Sequence, residues 1–400
     1  MTREIREFLE SLGDGPLRHI EALVNIESGS HDKEGVDRVG AYLARELELI
    51  GFTVEKRPQA VIGDQVLARR RFHGQGRVLI LGHLDTVWPR GTLADWPFAV
   101  TDDGFAVGPG VGDMKGGLVA ALTALQALTA VGAADHLESI TFMLVPDEEM
   151  GTPISRTWIE DEADRSDWAL VMEPGRENGG VVTQRGVMGR FKLTARGVSA
   201  HCAVNKGEGA SAIRELAVKV APLEDLSVID RGLLVNVGLF SGGEARQVIP
   251  AKAELEIDYR SPSQAEADRL AENIRRLALA RENPKVTLEL EGRQSRPEFP
   301  RSPGVLDLYR RARAIAAQLG LPLPEIHTKG GSDGSFTAAR GTPTLDGLGP
   351  IALDDCSRRE RLVINSILPR TLLLAELIAG LGRPQKEKTD GSWPGSEEIT

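Results

Sequence analysis

Short apolar runs alternate with helical apolar patterns along the first half of the chain. Residues 78–81, 140–145 and 168–172 are apolar and bounded by Gly, Pro or charged residues, which is typical of buried parallel strands. Residues 114–131 instead repeat apolar side chains at helical spacing, and Gly132 is the expected end of that helix. This alternation predicts an α/β fold with a mostly parallel sheet and helices on both faces.

The pattern changes near residue 185. Six elements then follow in the order βαββαβ, which predicts a ferredoxin-like unit. Their predicted bounds are 191–195, 210–220, 233–240, 253–259, 264–280 and 286–290. We interpret residues 185–297 as a domain inserted into a discontinuous domain of residues 1–184 and 298–383. The polar residues 384–400 are predicted to form a disordered tail.

A histidine and two acids lie beside these elements. His83 and Asp85 follow the first apolar run, and Asp113 ends a Gly-rich stretch before the predicted helix. Ligands of open α/β sheets bind outside the carboxyl ends of the strands, and imidazole with carboxylates suits zinc or a similar divalent metal. A core histidine and an ordinary helix N-cap are the alternatives for His83 and Asp113. The nearby acid of Asp85 and the Gly-Pro-Gly approach to Asp113 favour metal ligation.

Three glutamates follow the other two apolar runs. Glu148 and Glu149 come after the second run, and Glu173 comes directly after the third. Of two adjacent acids, one can bind a metal while the other stays free as a general base that takes a proton from metal-activated water. Solvated loop charges are the alternative. The three strand ends together predict a hydrolytic metal site.

Composition narrows the classes of function. The chain has 400 residues and a net charge of −10, which disfavours nucleic-acid binding. Two cysteines imply no disulfide framework, and the acidic N-terminus is not typical of a signal peptide. Since no apolar run reaches the roughly 20 residues of a membrane helix, no membrane partner is expected and the cytoplasm is the default location.

Several motifs in order resemble one family of enzymes. They are Gly82-His83-Leu84-Asp85-Thr86, the Gly-rich stretch 110–117, Asp147-Glu148-Glu149, Glu173-Pro174, Ser199-Ala200-His201 and Gly330-Gly331-Ser332-Asp333. Over residues 17–381 the chain resembles the cocatalytic zinc exopeptidases, which include glutamate carboxypeptidase, acetylornithine deacetylase, succinyl-diaminopimelate desuccinylase and aminoacylase. Glu at position 173 is most similar to the glutamate carboxypeptidase branch.

The resemblance implies a role for each acid of the centre. His83 and Glu173 would hold one metal ion, and Glu149 would hold a second. Asp113 would bridge the two ions. Asp85 would lie behind His83, and Glu148 would be the general base.

The resemblance also implies that the inserted domain is a lid and dimerisation domain. His201 would reach the active site of the partner in a homodimer and stabilise the tetrahedral oxyanion, although taken alone it is more readily a surface histidine. Arg260, Gly330 and Gly331 would hold the substrate carboxylate. Asn236 matches a lid position that often touches substrate.

Two positions depart from the family pattern. Where the family has its last histidine ligand, this chain has Cys356, and Asp355 is adjacent as a substitute. A thiolate binds zinc well, but the loop has also lost its small residues. The sequence therefore predicts one intact metal site and a second site that is weak or empty. Gln247 stands where relatives usually have Asn, which puts the substrate contacts of the lid in question.

We interpret the chain as a metal-dependent hydrolase that cleaves a C–N bond in a small carboxylate-bearing molecule, such as an N-acyl amino acid or a dipeptide. Zinc is the favoured metal, with manganese or cobalt as alternatives. A single-metal aminohydrolase or amidohydrolase that acts on a non-peptide, aromatic amine or amide is the second interpretation. A non-catalytic binding protein is the third, and the retained acids argue against it.

Overall fold

The computed structural model describes residues 2–383. Up to residue 185 its helices and strands are α1 (Thr2–Ser11), α2 (Gly15–Val24), α3 (Lys33–Leu49), β1 (Thr53–Arg57), β2 (Gln65–Arg71), β3 (Arg77–His83), β4 (Ala99–Val100), β5 (Phe105–Val107), α4 (Gly117–Ala130), β6 (Ser139–Val145), α5 (Arg156–Asp164), β7 (Trp168–Val171) and β8 (Val181–Arg185). The next six are β9 (Val187–Arg196), α6 (Ala212–Glu224), β10 (Leu234–Gly242), β11 (Lys252–Ser261), α7 (Gln264–Leu279) and β12 (Thr287–Arg296). The chain closes with α8 (Pro303–Gln318), β13 (Glu325–Thr328), α9 (Gly334–Ala339), β14 (Thr344–Leu345), β15 (Ala352–Leu353), β16 (Arg361–Val363) and α10 (Ile367–Gly380).

A sheet with the strand order β1-β2-β6-β3-β7-β14 forms the centre of the larger unit. The strands β6, β3, β7 and β14 run parallel, and β1 and β2 extend the sheet in antiparallel pairing. Side chains alternate between two hydrophobic clusters. Val78 and Ile80 face a large cluster with α1 to α4, α8 and α10, while Leu79 and Leu81 face a smaller one with α5 and α9. The predicted α/β class with helices on both faces is confirmed.

The register of the parallel strands explains why the polar residues converge. His83, the last residue of β3, pairs with Val145, the last residue of β6, and Leu81 of β3 pairs with Val171, the last residue of β7. All three strands therefore end at one edge of the sheet. The residues that follow them emerge together at that edge.

Residues 187–296 build a second, four-stranded antiparallel sheet in the order β10-β11-β9-β12. Its two helices and one face of the sheet enclose a separate hydrophobic cluster that includes Phe191, Leu216 and Ile274. The predicted order βαββαβ is confirmed. A buried ion pair between Arg185 and Asp346 (2.8 Å) lies at the junction with the larger unit. The boundaries of the inserted domain at 185 and 297 stay a prediction.

Some elements were not evident from the sequence. The helix α1 buries only Ile5 and Leu9, so its apolar pattern is too sparse to recognise. The strand β2 ends in three arginines, Arg69 to Arg71. Because these charges interrupt its apolar pattern, the strand could not be recognised from the sequence. The predicted tail, 384–400, lies outside the described residues. Among residues 2–383 no helix has the length and apolar character needed to cross a bilayer.

Candidate metal centre

His83 lies at the middle of the cluster at the sheet edge and is 2% exposed. Its Nε2 is 3.0 Å from Asp113 Oδ1 and 4.0 Å from Glu173 Oε1. Its Nδ1 is 2.9 Å from the main-chain oxygen of Asp85 and 3.4 Å from that residue's carboxylate. The contacts of Nδ1 with Asp85 therefore hold the ring in place, and Nε2 is directed at Asp113 and Glu173.

The Asp85 carboxylate mainly holds other parts of the site. It accepts hydrogen bonds from Ser30 Oγ (2.7 Å) and from the amides of Glu148 and Glu149 (3.2 Å each). These bonds fix the loop after β6 relative to the end of β3. The closest partner of His83 Nδ1 is the Asp85 carbonyl rather than its carboxylate, which refines the predicted placement behind His83.

Among the described residues, two groups of His, Cys, Asp and Glu side chains are close enough together to hold a metal ion. In each group the ligand atoms lie within 4.8 Å of one another. The first contains His83, Asp113 and Glu173, and the second contains Asp113, Glu149 and Cys356. Asp113 belongs to both groups, as expected for a bridging acid. The two groups contain the residues that the resemblance implies as ligands, and their binding roles stay predictions.

Asp113 is not the N-cap of a helix. The helix α4 begins at Gly117, and residues 111–116 form an irregular turn in which Asp113 has φ −108° and ψ 95°. The buried carboxylate of Glu360 accepts hydrogen bonds from the amides of Gly112 (2.9 Å) and Asp113 (3.1 Å) and thereby holds this turn. Glu360 was not identified from the sequence, and its partners lie about 250 residues away in the chain.

Cys356, rather than Asp355, lies within the second group. Its Sγ is 3.3 Å from Asp113 Oδ2. The backbone of Cys356 is left-handed, with φ +57°, which is costly for a residue with a side chain and is typical of functional sites. The carboxylate of Asp355 instead lies 3.9 Å from Arg176 Nη1.

The electrostatics of the cluster fit a bound cation. Burial, together with the charge of Asp113, raises the pKa of Glu149 to about 9 and holds the pKa of Glu173 well above its usual range. The same causes raise the pKa of the Cys356 thiol. Glu149 Oε1 is buried with no hydrogen-bond partner. A divalent metal would stabilise the anionic forms and give this oxygen a ligand.

Glu148 stands outside both groups and pairs with Arg296. The guanidinium Nη2 of Arg296 lies 2.7 Å from Glu148 Oε1 and 3.0 Å from Asp333 Oδ1. Arg296 is 3% exposed and ends β12, so it connects the second sheet with the acidic loop. Arg296 is not identifiable as a site residue from the sequence, where the only signal is the Arg- and Pro-rich stretch 293–303 at the return from the inserted unit.

The other predicted residues lie on the second unit or beside it. Arg260 pairs with Asp258 (2.7 Å), and its Nη1 is 3.3 Å from the carbonyl of Lys329, next to Gly330 and Gly331. Asn236 is exposed on β10 directly opposite Asp258, so it shares that face of the sheet.

His201 is exposed, and it contacts its own loop. Its Nδ1 accepts hydrogen bonds from the amides of Ala203 (3.2 Å) and Val204 (3.3 Å), and its own amide bonds to Asn205. Among residues 2–383 it has no hydrogen bond with either ligand group. The expected contribution of His201 to a neighbouring active site stays a prediction.

Comparisons with known proteins give matches over most of the chain. The model of peptidase family M20/M25/M40 matches residues 79–380. Carboxypeptidase G2 of Pseudomonas sp. (strain RS-16) is 31% identical over 373 residues, which cover 92% of this chain and 89% of that protein.

Solved structures share the fold. A tripeptidase from Staphylococcus aureus has a TM-score of 0.76 at 22% identity, covering 92% of this chain and 98% of its own. Aminopeptidase PepT from Bacillus cereus has a TM-score of 0.74 at 19% identity, covering 91% and 97%. The agreement extends over both units of the chain.

Proposed function

The chain belongs to peptidase family M20/M25/M40, metal-dependent hydrolases of C–N bonds, and from that premise we propose that it hydrolyses the amide bond of an N-acyl amino acid or a dipeptide. One observation carries the proposal. Two ligand groups share Asp113, and a further carboxylate, that of Glu148, stays outside both of them. Such an arrangement provides metal ligands and a separate proton acceptor in one place.

His83, Asp113 and Glu173 would hold one metal ion, and Asp113, Glu149 and Cys356 would hold the other. When bound, the metal supplies positive charge that polarises the scissile carbonyl and lowers the pKa of water. Zinc suits this mixture of imidazole, carboxylate and thiolate ligands, and manganese or cobalt are the alternatives. The Cys356 thiol lies close to Asp113, which supports a second site that binds metal. The sequence had instead led us to expect that this site is weak or empty.

Glu148 moves the proton in the proposed reaction. Its carboxylate takes a proton from the attacking water as the new C–O bond forms, and returns it to the nitrogen as the C–N bond breaks. Arg296 holds this carboxylate in place through the contact at 2.7 Å. Because Arg296 is buried and also pairs with Asp333, the base is fixed before substrate arrives.

Arg260, the adjacent loop of Gly330 and Gly331, and Asn236 would bind the substrate carboxylate. The contact of Arg260 with the Lys329 carbonyl places a guanidinium at this loop. Guanidinium groups bind carboxylates through two parallel hydrogen bonds, which gives both affinity and orientation. A substrate would then extend from this side toward the ligand groups.

Hydrolysis of a substrate panel tests the proposal. Purified protein saturated with zinc, manganese or cobalt is assayed with N-acyl amino acids and dipeptides. We expect amine release that stops after chelation and returns when metal is added back. Absence of hydrolysis with all three metals would contradict the proposal and direct attention to non-peptide C–N bonds.

We also propose that two chains form a homodimer through the second unit. β10 is an edge strand of its sheet, and it carries the exposed apolar side chains of Leu239 and Phe240. An unpaired edge with apolar side chains is a pairing surface. His201, exposed on the same unit, would then contribute to the partner's active site as an oxyanion donor.

We expect Leu239→Asp to convert the dimer into a monomer, as measured by light scattering after gel filtration. Loss of the His201 donor should lower kcat by about a hundredfold or more. Metal content should not change. Leu49→Asp, at another exposed leucine, the last residue of α3, is the control and should leave a dimer. A wild-type monomer with full activity would contradict the proposal.

A further inference from the structure

A cavity lies between the N-terminal helices and the far half of α4, and we call it the α4 cavity. Its volume is about 610 Å³, within the usual size of a small-molecule site. Its walls come from α1, α2, residues 49–51, the end of β2 and residues 123–130 of α4. The helix α4 begins at Gly117 and rises about 1.5 Å per residue, so Thr129 lies roughly 18 Å from Gly117 along its axis. The α4 cavity is therefore separate from the metal centre, which lies at the other end of this helix.

Arg70 places a positive charge in the wall of the α4 cavity. Its Nη1 donates to the Ile50 carbonyl (2.8 Å) and to Thr129 Oγ1 (2.7 Å), and these two bonds fix the guanidinium there. Within residues 2–383 Arg70 forms no ion pair, whereas the preceding Arg69 pairs with Glu162. Among the described residues, no Asp or Glu lines the cavity. The charge in the wall is therefore uncompensated, which favours an anion as the occupant.

Three further side chains of the walls have polar atoms without partners. Thr123 is 1% exposed, and its Oγ1 is buried with no hydrogen-bond partner. His19 contacts the Tyr42 hydroxyl through Nδ1 (2.7 Å). Neither His19 Nε2 nor the side-chain amide of Gln126 has a hydrogen bond in the described part of the chain. Buried polar groups in folded proteins are almost always paired, so these groups fit a molecule that binds between them.

Apolar side chains form the rest of the walls. Phe8 and Leu12 come from α1, Pro16 comes from α2, and Ile50 follows α3. Phe8, Leu12 and Ile50 also pack against the large hydrophobic cluster, which holds them in position. Burial of an alkyl chain or a ring against them is favourable. Together with the charge of Arg70, this surface fits a molecule that has an anionic end and an apolar body.

We propose that the α4 cavity binds a small amphipathic monocarboxylate, an anion with an alkyl or aryl body. Its carboxylate would accept hydrogen bonds from Arg70, and Thr123 and Gln126 would donate to its oxygen atoms. The apolar body would lie against the side chains of α1. A molecule bound there contacts α1, α2 and α4 together and stabilises their packing, without taking part in the hydrolysis at the metal centre.

Binding of simple carboxylates to the full-length protein tests the inference. Octanoate and 3-phenylpropanoate are compared with neutral octan-1-ol by calorimetry. We expect one carboxylate to bind per chain, and octanoate to bind about tenfold more tightly than octan-1-ol or better, because hydrogen bonds to a charged group contribute more than neutral ones. The tighter of the two acids identifies the apolar body as an alkyl chain or as a ring.

Three variants locate the bound carboxylate. Arg70→Met should weaken octanoate binding about tenfold and remove the difference from octan-1-ol. Arg71→Met is the matched control and should leave the affinity unchanged, since Arg71 is exposed and lies outside the cavity. Thr123→Val nearly preserves the volume and removes a hydroxyl that has no partner, so it should fold at least as stably as wild type and bind octanoate severalfold more weakly.

A loss of affinity in Arg70→Met that Arg71→Met does not share supports the site. If Arg70→Met fails to fold, the affinity of Thr123→Val decides. Unchanged affinity in the deciding variant would overturn the inference, as would the absence of saturable binding of either acid at millimolar concentration. Binding that Arg260→Met abolishes and Arg70→Met leaves intact would place the carboxylate near the metal centre and also overturn it. None of these results depends on whether the protein hydrolyses amides.

Discussion

Replacing Glu148 with Gln is expected to lower kcat by about a thousandfold while leaving KM and metal content nearly unchanged, because general-base catalysis contributes about 10²- to 10⁴-fold. The amide oxygen of Gln can still accept a hydrogen bond from Arg296, so the buried pairing partner is retained. What is lost is the ability to take a proton from water. Steady-state kinetics with the best substrate of the panel, together with elemental analysis, provides the measurement.

Glu177→Gln is the matched control for that change. Glu177 is an exposed glutamate of the loop after β7, and the same substitution there should leave kcat within about twofold, as is usual for surface positions. Activity of the Glu148→Gln variant within tenfold of wild type would show that another group takes the proton. The mechanism proposed for this site would then be wrong.

Replacing Asp113 with Asn is expected to remove both metal ions. Its carboxylate is the one ligand common to the two groups, and a neutral amide oxygen is a weaker ligand for a divalent cation. We expect kcat/KM to fall on the order of a thousandfold or more, since the charge that activates water is lost. Metal added to the variant should raise its melting temperature much less than it raises that of metal-free wild type.

Comparing the melting temperatures of the metal-free variant and the metal-free wild type shows whether Asp113 acts as a metal ligand or stabilises the fold. Asp113→Asn removes one anion from a buried cluster in which the charge of Asp113 helps to raise the pKa values of Glu149 and Glu173, and this relief of repulsion is stabilising. The substitution also removes the charged partner of His83, which is destabilising. These effects oppose each other, so the melting temperature of the metal-free variant should stay close to that of metal-free wild type. A large drop would indicate a structural role for Asp113 instead.

Substitutions at two neighbouring residues test which of them, Cys356 or Asp355, binds metal in the second group. Cys356→Ala should reduce the metal content from two ions per chain to one, because the thiolate belongs only to the second group. Asp355→Asn should leave the content unchanged, since Asp355 lies against Arg176. Loss of an ion from the Asp355 variant but not from the Cys356 variant would reverse this assignment.

The sequence by itself determined the fold class and the residues that meet at the site. The strands β3, β6 and β7 are apolar on both faces, so their runs are recognisable, and the parallel register brings the residues after them to one edge. His83, Glu149 and Glu173 could therefore be identified without coordinates, and Asp113 could be identified from the Gly-rich stretch before α4. The order βαββαβ was equally readable, because periods of 2 and 3.6 residues differ clearly.

Only the tertiary structure decided the contacts between residues that lie far apart in the chain. Arg296 reaches Glu148 across 148 residues, and Glu360 holds the turn of Asp113 across nearly 250, and no local pattern encodes either pair. The position of the Cys356 thiol depends on a left-handed backbone that composition does not predict. Residues 29–32, 86–90 and 149–150 likewise line one groove only when the sheet is assembled. Periodicity specifies which face of an element is buried but not which distant side chains meet there.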